Sequence, residues 1–154
     1  MLLLIVQICR SETAYLSPGV GISWDLRGHV VWSPKLSIGV LNSHNTFYNL
    51  TIGRSTSSEP AIYPHIFIET QAGHLTEPSD FRKIQLFFGG GVGVTIPTGT
   101  SSSGVSLRGS LFGGYGLFIN ANFLFEENIN SELGLKIVAP LPLGGIPALG
   151  PGKI

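Results

Sequence analysis

Charge is scarce in this sequence. Nine Lys and Arg and nine Asp and Glu make up 12% of the 154 residues and cancel to zero, about half the charged share of ordinary soluble domains. Without a basic block the chain offers nothing to a polyphosphate backbone, which excludes nucleic acid as a partner. Cysteine is nearly missing too. Cys9 stands alone, so there is no internal disulfide framework and no multi-cysteine metal site. No apolar run approaches the roughly 18–20 residues that a helix needs to cross a bilayer. Yet 43% of the residues are hydrophobic. If such a chain enters lipid it must do so with strands. Only a closed barrel then satisfies the backbone, because an open sheet edge cannot face hydrocarbon.

What is present is glycine and alternation. The 21 Gly follow no collagen-like or linker-like period. The clearest stretch is Lys83–Ile96, KIQLFFGGGVGVTI. Successive side chains of a strand point to opposite faces. One face here carries Ile84, Leu86, Phe88, Val92, Val94 and Ile96, and the other Gln85, Phe87, Gly89, Gly91, Gly93 and Thr95. A soluble sheet places Lys, Glu and Arg where it meets water, whereas this second face is small and neutral. The greasy face therefore reads as turned outward to lipid, and the small face as turned into a narrow lumen.

The same rhythm runs through most of the chain. Val20, Ile22, Trp24 and Leu26 share one face of a first strand, which ends at Arg27-Gly28, a turn signal. Val30, Trp32, Leu36, Ile38 and Val40 continue the outer face in a second, where Pro34 removes a ladder donor and predicts a local break. Asn42–Asn45 is a polar turn, and Tyr48–Gly53 a short third strand before a solvated loop at Arg54–Glu59. A fourth strand carries Ile62, Ile66 and Ile68 outward, and Ala72–Arg82 is a polar connection. Loop Pro97–Gly104 follows the glycine-rich strand. Leu107 and Leu111 face outward next, then Leu117, Ile119, Phe123 and Phe125, and finally Leu133, Leu135 and Ile137. A turn at Gly113-Gly114 makes eight strands, and its absence seven. The even count is expected, because it returns both termini to one side. Aromatics towards the strand ends (Tyr15, Trp24, Trp32, Tyr48, Tyr63, Phe81 and Phe125) suggest interfacial girdles.

The fold class expected is thus all-β, an antiparallel up-and-down transmembrane β-barrel over residues 15–139. Residues 1–14 read either as an export signal or as a short first strand or plug. Residues 140–154 form a Pro/Gly-rich tail expected to leave the ladder. The residues expected to face lipid include Trp24, Trp32, Leu86, Phe88, Val92, Val94, Leu117, Ile119 and Phe123. On the inward parity fall Asp25, His29, Lys35, His65, Glu69, Arg108, Glu132 and Lys136. Charges inside a narrow lumen must pair or hydrogen-bond, since an isolated buried ion is costly. These eight are expected to form a structural polar network.

Segments such as GVGISWDL, KIQLFFGGGVGVTI and GYGLFINANFLF give the chain a resemblance to a known group. It resembles the small eight-stranded outer-membrane β-barrels of Gram-negative bacteria, the OmpA-transmembrane-domain and OmpX-like group, over roughly Leu16–Ala139. The resemblance implies a side-chain-filled lumen, membrane lipid as the surrounding partner, and residence in the bacterial outer membrane. It also implies loops or a tail as the place where a protein partner docks.

Dedicated chemistry is hard to find. His65 and Glu69 lie about 13 Å apart along one strand, too far to share a metal. No metal, cofactor or catalytic residue is expected. Ser43-His44 and the Ser55–Ser58 cluster supply hydroxyl and imidazole, but nucleophilic catalysis needs them within hydrogen-bond reach of one another. His44 and His74 read as solvated connection residues. The glycine run lacks the Gly-Lys-Ser/Thr ending of a phosphate loop. Three functions remain: a non-enzymatic barrel with a structural or loop-mediated role, a soluble or periplasmic calyx for an apolar ligand, and a lipid-modifying barrel enzyme. The calyx requires Trp24, Phe88 and Phe123 to line a cavity.

Overall fold

A computed structural model describes residues 13–42, 44–57, 64–76, 86–98, 104–125 and 130–143. They form β1 (Thr13–Asp25), β2 (Val30–Leu41), β3 (Thr46–Ser57), β4 (His65–Leu75), β5 (Leu86–Pro97), β6 (Ser106–Tyr115), β7 (Leu117–Phe125), β8 (Asn130–Val138) and the two-residue β9 (Leu141–Pro142). Each of β1 to β7 pairs antiparallel with the next, β8 returns to pair with β1, so the sheet closes, and β9 also pairs with β1. The molecule is an eight-stranded up-and-down barrel with no helix among the described residues. Its barrel strands run from 9 to 13 residues, which is what a tilted transmembrane strand requires.

The alternation sorts by side. Trp24, Trp32, Phe88, Val92, Leu117 and Ile119 are exposed on the outer wall, and Leu86, Val94 and Phe123 share that wall by parity. Buried on the inner wall are Ser17, Ser23, Ser37, Thr51, Glu69, Arg108, Asn122 and Lys136. An apolar exterior around a polar interior is the inverse of a soluble domain, and it suits a barrel whose solvent is hydrocarbon. Outer aromatics sit towards both rims, with Trp24, Trp32 and Phe125 at one and Tyr48, Phe88 and Tyr115 at the other.

Several expectations are corrected. Tyr15 belongs to no girdle: it is buried in the lumen, its hydroxyl donating to Asn49 Oδ1 at 2.5 Å. Tyr63 and Phe81 lie outside the described residues. The third strand is not short, because Arg54–Ser57 extend it, with Ser55 turned inward against Ser33 at 3.0 Å. The fourth runs on through Ala72 to Leu75, where Leu75 is buried. His74 is therefore a strand residue, its ring 5.7 Å from Phe88. At Pro34 the expected break occurs: the β2–β3 pairings of Ser33 and Pro34 are missing, while the register on either side is unchanged.

The turn between β6 and β7 is centred on Gly116, not on Gly113-Gly114. Tyr115 pairs with Leu117, and Gly116 adopts φ +71°, which glycine tolerates best. The tail also does more than expected. Leu141 and Pro142 pair with Leu16 and Tyr15 in the register that Val138 and Gly19 begin. Pro140 has no N–H to give, so the ladder skips it and resumes.

Candidate functional site: the barrel lumen

The lumen is layered along its axis. At the rim where β1 begins and β8 ends, Tyr15, Leu41, Phe47, Leu75, Phe112 and Phe118 form one buried apolar cluster, with Phe87 and Val138 packed against it. Its rings meet at centroid distances of 5.6–6.4 Å, mostly tilted or edge-on, the arrangement that ring quadrupoles favour.

Beyond this plug lies a polar layer organised by the glycines of β5. Glu69 of β4, Gly93 of β5 and Arg108 of β6 share one register row, and Gln71, Gly91 and Ser110 share the next. With no side chain on β5 in either row, Glu69 reaches across that strand. Its Oε2 accepts from Arg108 Nε at 3.1 Å, and its Oε1 accepts from Gln71 Nε2 at 2.9 Å and from the Ser110 hydroxyl. The Arg108 guanidinium also lies 4.3 Å from the centre of the Phe67 ring. Glu69 and Arg108 are 1% and 3% exposed. Each would be strongly unfavourable alone; together they form a desolvated pair whose lone pairs are used.

The opposite wall holds the second carboxylate. Glu132 Oε2 accepts from Ser23 Oγ and Asn122 Nδ2, both at 3.0 Å. Lys35 and Lys136 make no hydrogen bond and no ion pair with a carboxylate among the described residues. Instead Lys136 Nζ stands 3.3 Å from the centroid of Phe112.

Asp25 and His29 are different. They close the β1–β2 hairpin at the far rim, partly exposed, with His29 Nδ1 2.9 Å from Asp25 Oδ2. The same carboxylate accepts the backbone N–H groups of Arg27 and His29. This is a turn clasp rather than part of the lumen network. His65 is buried at the start of β4, well separated along the chain from that clasp.

No group of three His, Cys, Asp or Glu able to hold a metal occurs among the described residues. Among the described residues, no serine hydrogen-bonds the His29 imidazole of the Asp25–His29 pair. Ser43 and Ser58 lie outside the described residues. Trp24, Phe88 and Phe123, which an apolar calyx would need inside, stand on the outer wall.

Sequence reasoning missed the aromatic plug and the neutral partners Ser23, Gln71, Ser110 and Asn122. Parity placed several of them inside. What it lacked was register, which alone shows that Gln71 and Ser110 flank Gly91.

No family model and no curated protein sequence matches the chain. Solved structures do. The outer-membrane enzyme PagL superposes with a TM-score of 0.66 at 11% identity, covering 81% of this chain and 99% of that one. Neisserial surface protein A, NspA, gives 0.55 at 12%, covering 82% and 96%. A de novo designed transmembrane β-barrel gives 0.53 at 10%, covering 84% and 99%. At such identities the likeness is one of fold, and the fold is that of the small eight-stranded outer-membrane barrels.

Proposed function

We propose that this protein is a non-enzymatic outer-membrane barrel of a Gram-negative bacterium. It stabilises the envelope or presents the connections between β3 and β4 and between β5 and β6 to a protein partner. The observation that carries the reading is the filled lumen. An aromatic plug and the Glu69–Arg108 layer occupy the interior, so the barrel offers no wide water path. An apolar outer wall supports lipid as its surroundings. The fold it shares with an enzyme carries no chemistry by itself, since unrelated functions are grafted on one scaffold.

The test is reconstitution in vesicles containing lipopolysaccharide and phospholipid. Mass spectrometry should detect no acyl chain released or transferred above protein-free vesicles, and an entrapped small dye should be retained. Acyl release would replace this reading with a lipid-modifying enzyme, and dye leakage with a pore.

A further inference from the structure

A cavity of about 80 Å³ runs alongside the aromatic plug, lined by all six of its residues, and reaches the polar side chains beyond it. Lys35 and Lys136, which reach no carboxylate among the described residues, line it, together with the polar side chains of Ser17, Ser37, Asn49 and Gln71. It extends to Gly116 and Pro140 at the rim where β8 ends, so it has a way in. Lys136 is 5% exposed and reaches no carboxylate among the described residues.

The charge balance around the cavity is uneven. Lys35, Arg108 and Lys136 face Glu69 and Glu132, three cations against two anions. Both carboxylates are already engaged: Glu69 by Arg108, Gln71 and Ser110, Glu132 by Ser23 and Asn122. The position of Lys136 Nζ over the Phe112 face suits a charged ammonium, because the ring quadrupole attracts a cation. An anion held between the two ammonium groups would offset that excess and favour the charged form of both lysines. Lys35 approaches from the other side, its Nζ near Gly21, the residue paired with Lys136.

We propose that the cavity between Lys35 and Lys136 is a binding site for one small monovalent anion, of the size of chloride. The volume sets the size, since a few water-sized spheres fill it. The two ammonium groups set the sign, and the serine hydroxyls and amides supply further donors. The site is independent of the proposed envelope role and stands or falls separately from it.

The experiment compares thermal unfolding of the full chain, folded in micelles, in sodium chloride and in sodium gluconate at equal ionic strength. Gluconate screens surface charge equally but is too large to enter. Chloride at about nine times its dissociation constant should raise the folded-to-unfolded ratio about tenfold over gluconate. Lys136→Met and Lys35→Met keep the apolar stem and should each abolish the difference; if one does not fold, the other carries the test. Crystals grown in bromide should show an anomalous peak within reach of both ammonium groups. Identical melting in the two salts, a salt difference that persists in the variants, or bromide absent from the cavity would each overturn the site.

Discussion

Glu69 ties three side chains of the interior together, those of Gln71, Arg108 and Ser110. It joins β4 to β6 across a strand whose inward positions there are glycine, and it compensates a guanidinium that is 3% exposed. Glu69→Gln leaves Arg108 buried without its counter-charge, and should lower stability by about 3–5 kcal/mol. Glu132→Gln removes a carboxylate whose hydrogen-bond partners among the described residues are neutral, Ser23 and Asn122. It should cost clearly less, because an amide oxygen can still accept from both. Urea unfolding in micelles, followed by circular dichroism, measures both; equal losses would contradict this ranking. Close approach matters at Gly73. A Cβ there would overlap the Phe47 ring and the Phe88 carbonyl oxygen, so Gly73→Ala should destabilise by about 1–3 kcal/mol, the usual cost of overpacking.

At the scale of elements, the turns decide how eight strands come from a pattern that scarcely pauses. The β6–β7 turn is so tight that a single residue separates the paired Tyr115 and Leu117. An odd spacer keeps parity. Phe112 and Gly114 face inward before it, and Phe118 and Asn120 after it, all at even positions. Alternation alone therefore passes straight through this turn. Gly116→Ala should cost about 1–2 kcal/mol, the penalty of left-handed backbone for a residue with a Cβ. At Gly113 a Cβ would meet nothing closer than 3.5 Å, and Gly113→Ala should be nearly neutral. The reverse order, read from the same unfolding curves, would move the turn back to Gly113-Gly114.

For the whole molecule the decisive quantity is which wall faces lipid. Leu111 is 59% exposed, whereas the adjacent Ser110 is 6% exposed. Single cysteines at 110 and 111 in a Cys9→Ser background, each carrying a fluorophore, should respond oppositely in vesicles with lipid-borne quenchers. The label at 111 should be quenched strongly and the one at 110 weakly. Equal quenching would mean that the barrel has not inserted with this facing. Outer aromatics at both rims bear on the same point: they match the amphipathic belts of a spanning barrel.

The two faces of each strand, the inversion of polarity and the closed barrel were legible in the sequence, because alternation is a local property written in neighbouring residues. Ile38 and Ser37 differ in side whatever the remainder of the chain does. The turn at Gly116, the strand character of Arg54–Ser57 and the resumption of the ladder at Leu141 were not legible. Each depends on which residue stands opposite, not on which residue stands next. The Glu69–Arg108 pair spans 39 positions, and its existence follows from the register that two successive hairpins impose on β4, β5 and β6. Local sequence determined inside and outside; only the tertiary structure decided who meets whom inside, since register accumulates over turns whose geometry alternation does not encode.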